Sequence, residues 1–116
     1  MIIDWELSIK LAGGNQQAAE ELMTLMIKSL PNELSQIKIA VEKNQLDLLK
    51  NLLHKLHGAL CYCGLPRLKN AVERFEDALK KDKKHLFSFY LEVEKAINEI
   101  SDAMPACSTL TSRGFL

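Results

Sequence analysis

Two histidines and their neighbours form the part of the chain whose residue types could do chemistry. His54, His57, Gly58 and Cys61 follow one another closely, and Lys50 lies four residues before His54. A neutral imidazole is a nucleophile and a proton acceptor near neutral pH. On a helix, residues three and four apart are neighbours, so Lys50 and His57 would both lie beside His54 and favour a negative group on its ring. The cluster therefore points to chemistry between an imidazole and an anion.

A helical wheel separates the two sides of this stretch. The leucines fall within about 60° of one direction, which marks the buried side; they are Leu49, Leu52, Leu53, Leu56 and Leu60. His54 lies about 140° and Gly58 about 180° from that direction, so both point to solvent. Lys50, His57 and Cys61 lie on the flank, at about 80–120°. A mid-helix glycine destabilises a helix by about 1 kcal/mol relative to alanine, so its presence calls for a reason. Because Gly58 has no side chain, the surface of another protein could come close to His54, and this is the role that we predict for it.

Helices are the elements that must position this cluster. Few glycines and prolines interrupt the chain, and apolar residues recur at spacings of three and four. The predicted helices are Trp5–Leu11 after an Asp4 cap, Gln16 to about Lys43 after an Asn15 cap, about Leu46 to Tyr62, Pro66 to a basic turn at Lys80–Lys84, and about His85 to Pro105. The second pattern continues in register through Pro31, so one kinked helix is predicted there. Gly64 is expected to end the third helix.

Each predicted helix carries an apolar stripe. The leucines above form the stripe of the third helix. The first helix has Ile3, Leu7 and Leu11, and the second has Leu22, Leu25, Met26, Leu30, Leu34, Ile37 and Val41. The fourth has Leu68, Ala71, Val72, Phe75 and Leu79, and the fifth has Leu86, Phe89, Tyr90, Val93, Ile97 and Ile100. Four long amphipathic helices with short connections predict an all-α, antiparallel up-down four-helix bundle. The short N-terminal helix is expected to cover one end of this bundle.

Length and composition exclude several classes of protein. With 116 residues, 47% of them hydrophobic and 26% charged, the chain is one globular domain. Fifteen basic and fifteen acidic residues give zero net charge, which argues against a nucleic-acid partner. No apolar run is long enough to span a membrane, and residues 1–6 do not have the pattern expected of a signal peptide. The three cysteines indicate reduced thiols. The domain is expected over residues 1–104, with a loose tail over 105–116.

The stretch His54-Lys55-Leu56-His57-Gly58-Ala59, followed by Gly64, Leu68, Phe75 and Glu76, resembles the histidine phosphotransfer (HPt) domain pattern. Together with the segment from Gly64 to Asn70, it looks like the C-terminal HPt domain of BarA/GacS-type tripartite hybrid sensor kinases. Ile3-Asp4-Trp5 and Leu30-Pro31 also fit that class. The resemblance covers about residues 2 to 103. His57 stands where most of the family has lysine.

The resemblance implies a phosphorelay. His54 would take a phosphoryl group from an aspartate on the receiver domain of a parent kinase and pass it to an aspartate of a response regulator. Lys50, His57, Gly58 and Cys61 would surround the phosphate and the docked partner. The domain would hold no cofactor and would not be an enzyme on its own, since the receiver brings Mg²⁺. It is expected to be a monomer when isolated, without direct membrane contact, and to form the cytoplasmic C-terminal part of an inner-membrane kinase.

Four other interpretations compete with this one. His54 is an ordinary solvated histidine if the cluster has no function. His57 and Cys61 are four apart with His54 nearby, but no carboxylate in the pattern completes a metal site, so none is predicted. A Cys–His nucleophile pair lacks an orienting third residue. The serious alternative is a helical adaptor that binds a partner and carries no phosphate, because the same bundle could serve either function.

Overall fold

Five helices make up the part of the chain that the structure describes, and their bounds lie close to those predicted. The computed structural model describes residues 2–81 and 84–103. The helices are α1 (Trp5–Leu11), α2 (Gln16–Glu42), α3 (Leu46–Leu60), α4 (Pro66–Lys81) and α5 (Leu86–Ala103). Lys80 and Lys81, expected in a turn, are the last two residues of α4. The predicted tail, 105–116, lies outside the described residues.

Local signals in the sequence account for where the first two helices begin. The Asp4 side chain accepts a hydrogen bond of 3.0 Å from the backbone N–H of Leu7, and Asn15 accepts one of 3.0 Å from Ala18. Such caps satisfy N–H groups that have no partner within the helix. Gly13 and Gly14, which form the turn between these helices, have φ angles of 72° and 85°. Both predicted caps are therefore confirmed.

The helix α2 is continuous through its internal proline. It runs from Gln16 to Glu42 with Pro31 inside it, which confirms the prediction of one helix rather than two. Asn44, with a φ of 54°, follows its end. This left-handed backbone, which asparagine tolerates better than most residues, turns the chain toward α3.

The four long helices pack in the order of the sequence, and α5 returns to α2 to close the bundle. Ion pairs on the surface show that α4 and α5 are antiparallel. Arg74 Nη1 lies 2.7 Å from Glu92 Oε1, and Arg67 Nη1 lies 2.6 Å from Glu99 Oε2. The earlier residue of α4 therefore pairs with the later residue of α5, as antiparallel packing requires. The antiparallel bundle predicted from the sequence is confirmed.

The core confirms the stripes of α4 and α5 and corrects that of α2. The predicted residues of α4 are all buried, as are those of α5 except the half-buried Phe89. In the first half of α2, however, Leu22 and Leu25 are 41% and 64% exposed, whereas Met23 and Ile27 are buried. Both sets have helical spacing, so the periodicity alone allows either face. Packing of α2 against its neighbouring helices determines that Met23 and Ile27 are the buried residues.

The predicted stripe of α1 is right for Ile3, which packs against the core, and wrong for Leu7 and Leu11. Leu7 and Leu11 are 38% and 40% exposed, while Ser8 is 1% exposed. The Asp4 N–H donates a hydrogen bond of 2.8 Å to the Gly64 carbonyl. A Cβ at Gly64 would overlap the Asp4 carbonyl and come within 3.0 Å of the Ser8 nitrogen. The backbones meet here, so small residues are required.

Gly64 therefore has a different role from the predicted one. The helix α3 already ends at Leu60, with Cys61 as its C-cap. Gly64 lies in the connection to α4 and receives the segment that begins α1. This contact holds the N-terminal segment against the α3–α4 connection.

A half-buried carboxylate lies between α2 and α3. Burial raises the pKa of the Glu33 carboxyl above its ordinary value, and the positive charge of Lys55 opposes that shift. The Oε2 atom of Glu33 is buried without a hydrogen-bond partner in the part of the chain that the structure describes. Because the raised pKa applies to the folded state, unfolding favours ionisation of this carboxyl. Its contribution to stability is therefore lost as the pH rises from its ordinary pKa through the raised one.

We expect Glu33→Gln to raise the melting temperature at pH 7 by a few degrees, because the amide carries no charge to bury. The gain should shrink at pH 4 and below, where the wild-type carboxyl is protonated. Thermal unfolding followed by circular dichroism measures both values. Glu20→Gln, on the exposed surface of the same helix, should show no such difference. A variant that is less stable than wild type at pH 7 would contradict this account.

Candidate functional site

His54 projects from the exposed face of α3, as the helical wheel predicts. Its side chain is 84% exposed. Gly58, one turn later, is also exposed, and a Cβ built there would have no neighbouring atom within 4 Å. The imidazole thus stands beside an open strip of helix backbone that a partner's surface can reach.

Two carboxylates of α4 face the two histidines of α3. His54 Nδ1 lies 4.0 Å from Glu76 Oε2, and His57 Nε2 lies 3.0 Å from Glu73 Oε2. The first distance is too long for a direct hydrogen bond but short enough for a charge interaction; the second is a hydrogen bond. An ionised carboxylate can only accept, so His57 Nε2 donates. The sequence patterns placed Glu76 only within the family resemblance and did not identify Glu73.

The predicted neighbours of His54 therefore separate into two groups. Lys50 lines the same cleft as His54, whereas His57 does not. The His57 ring is 27% exposed and its Nε2 is engaged by Glu73. Cys61 is half-buried at the end of α3. Lys50 thus shares a cleft with His54, whereas His57 is engaged by Glu73 outside that cleft.

The cleft beside His54 lies between α3 and α4 and has a volume of about 500 Å³. Its lining includes Lys50, Asn51 and His54 from α3 and Glu76, Leu79 and Lys80 from α4. The cleft thus combines an exposed imidazole, two lysines and two carboxylates, since Asp47 also lines it. Such a set can orient an imidazole and hold an anion attached to it.

A second, apolar groove lies on the other flank of α3. It has a volume of about 410 Å³ between α2 and α3, and its lining includes Leu22, Leu25, Ala59 and Tyr62. Leu25 and Tyr62 are each 64% exposed. Leu22 and Leu25, which were predicted to lie in the core, thus form part of an exposed apolar surface beside α3.

The cysteines and the metal alternative can also be placed. Cys63 is buried, and burial raises the pKa of its thiol. Within residues 2–81 and 84–103, no three histidine, cysteine, aspartate or glutamate side chains come together as a metal site would require. Glu76 and Glu73 each face one histidine. In the same residues, no helix is both long and apolar enough to cross a membrane.

Comparisons with known proteins give consistent results. A model of the Hpt domain family matches residues 21–105. The chain is 30% identical over 104 residues to the sensor protein GacS of Pseudomonas syringae pv. syringae, covering 90% of this chain and 11% of that protein. It is 28% identical over 102 residues to the signal transduction histidine-protein kinase BarA of Escherichia coli K12, covering 88% of this chain and 11% of that protein. The chain thus spans about a ninth of the length of these relatives.

A solved structure agrees with the sequence comparisons. The crystal structure of the HPT domain from a sensor hybrid histidine kinase of Shewanella matches with a TM-score of 0.80 and 27% sequence identity. The match covers 96% of this chain and 95% of that one. The whole helical arrangement is therefore shared, beyond the residues around His54.

The two glycines near the site should respond oppositely to alanine. Gly58→Ala should raise the free energy of unfolding by about 1 kcal/mol, because alanine favours the helix and its Cβ meets nothing. Gly64→Ala should lower it by about 1–3 kcal/mol, because its Cβ would overlap the Asp4 carbonyl. Urea unfolding of the two variants measures the contrast. Loss of stability in Gly58→Ala would show that position 58 is packed.

Proposed function

The chain belongs to the Hpt domain family, and on that premise we propose that His54 carries the phosphoryl group in a phosphorelay. Membership of the family gives the chain a phosphotransfer role in two-component signalling. One observation carries the choice of residue: His54 is 84% exposed, lies one turn from an open Gly58 and faces a carboxylate with Nδ1. His57, by contrast, is mostly covered and bonded to Glu73.

The Glu76 carboxylate determines which ring nitrogen reacts. A negative charge near Nδ1 favours the tautomer in which that nitrogen carries the proton. Nε2 then keeps its lone pair and is the ring nitrogen that can attack phosphorus. Glu76 is a positioning residue in this proposal, since it acts through the imidazole.

The transfer balances with the groups named. The Nε2 lone pair attacks the phosphorus of an aspartyl phosphate, a nitrogen–phosphorus bond forms, and the phosphorus–oxygen bond electrons leave with the aspartate carboxylate. The proton stays on Nδ1, so the phosphorylated ring is cationic, stabilised by Glu76 and a good leaving group. The reverse reaction delivers the phosphoryl group to a second aspartate. Such transfers depend mainly on positioning and charge stabilisation.

The partners in this proposal are two receiver domains, one of the parent kinase and one of a response regulator. The receiver would bring the aspartate and Mg²⁺, while this domain would supply His54 and the surface around Gly58. The domain alone would be a phosphocarrier without catalytic activity or ATP binding. By analogy with relatives that are a sensor protein and a histidine kinase, each about eight times as long as this chain, it would act as the cytoplasmic C-terminal part of an inner-membrane kinase.

The acceptor is tested by incubating the domain with radiolabelled phosphorylated receiver domains. We expect label that is stable to base and labile to acid, abolished in His54→Gln and retained in His57→Gln. Label on His54→Gln but not on His57→Gln would contradict the assignment. No label from any cognate receiver would favour an adaptor that carries no phosphate.

Glu76→Ala should slow transfer at least about tenfold, because Nδ1 loses the carboxylate that orients the ring. Asp77→Ala is a matched control, since Asp77 Oδ2 lies 3.2 Å from Lys81 Nζ on the same helix. Single-turnover transfer rates from one receiver measure both variants, with circular dichroism to confirm folding. Equal rates in the two variants would remove Glu76 from the mechanism.

A further inference from the structure

The contacts between α3 and α4 define a register that reaches beyond the two histidines. His57 faces Glu73 and, one turn back along α3, His54 faces Glu76 one turn forward along α4. A further turn in the same directions brings Lys50 opposite Lys80. Both lysines line the cleft that contains His54, which agrees with this register.

Neither lysine has an ion-pair partner among the residues that the structure describes. Both residues are exposed. The other titratable side chains that line the cleft are Asp47 and Glu76, besides His54 itself. Two facing cations repel each other, and an anion placed between them would relieve that repulsion.

A phosphoryl group is such an anion, with a charge of about −1.5 to −2 at pH 7. Lys50 is four residues before His54 on one face of α3, so its ammonium group can reach a group attached to the ring. Lys80 approaches from α4, four residues after Glu76. Glu76 thus contacts the ring, and the two lysines line the cleft beside it, from which they can approach a group attached to the ring.

His57 is poorly placed for the same task. It occupies the position where most of the family has lysine, but its Nε2–H is donated to Glu73 over 3.0 Å. The Glu73 carboxylate also offsets any positive charge on the ring. His57 does not line the cleft.

We propose that Lys50 and Lys80, not His57, supply the positive charge that holds the phosphoryl group on His54. This rests on the proposed function, since it requires phosphorylated His54. The lysines are positioning residues that stabilise the dianionic form of the phosphoryl group. Their loss should therefore raise the pKa of that group.

Phosphoramidate, a small phosphoryl donor, allows a test that needs no receiver. The ³¹P signal of phosphorylated His54 is identified by its absence in His54→Gln and is followed against pH. We expect the phosphoryl pKa to rise by roughly 0.5 unit in Lys50→Gln and in Lys80→Gln, and by roughly 1 unit in the double variant. High salt should shrink these differences.

Two variants serve as controls. Lys55→Gln removes the same charge one residue from His54, but Lys55 lines a separate cavity beside Glu33. His57→Gln removes the residue at the family's lysine position. Both should leave the phosphoryl pKa within about 0.2 unit of wild type if the cleft lysines hold the group.

The outcomes separate this inference from the proposed function. A double variant that titrates like Lys55→Gln, or a larger shift in His57→Gln than in the lysine variants, overturns the role of the lysines while His54 remains the acceptor. A shift confined to the lysine variants supports it, whichever receivers transfer to the domain. Failure of every receiver to label His54 would overturn the proposed relay. The phosphoryl pKa measured after labelling with phosphoramidate would still test the role of the two lysines.

Discussion

The antiparallel packing of α3 on α4 is the constraint on which the site depends. The buried leucines of α3 pack in one core with Val72 and Phe75 of α4, and this packing determines which residues meet at the surface above it. His57 then meets Glu73, His54 meets Glu76, and Lys50 shares a cleft with Lys80. Exposed ion pairs contribute little to stability, so the core positions these charges and not the reverse.

Much of this arrangement can be predicted from periodicity because the signals are strong. The leucines of α3 define one buried side, and the exposed positions of His54 and Gly58 follow directly from the helical repeat. The caps at Asp4 and Asn15 are local hydrogen bonds, which depend on residues three apart. Such features need no knowledge of tertiary structure.

The parts that sequence patterns missed are those that depend on two helices at once. Glu73 and Glu76 look like ordinary surface residues of α4 until the register against α3 is known. The buried face of α2 could not be chosen between Leu22 and Met23 because both have helical spacing. Gly64 resembled a helix end, although its role is a close contact with the distant Asp4.

Gly58 also has a consequence for motion. A glycine in the middle of α3 weakens the helix by about 1 kcal/mol, and no side chain packs over it. The free energy for local opening of the backbone around it is reduced by a similar amount, which corresponds to roughly fivefold faster amide hydrogen exchange where opening is local. The stretch of helix that carries His54 thus combines a rigid buried side with an outer side that opens more readily. A partner that covers Gly58 would slow this exchange and would spend part of its binding energy in ordering the helix.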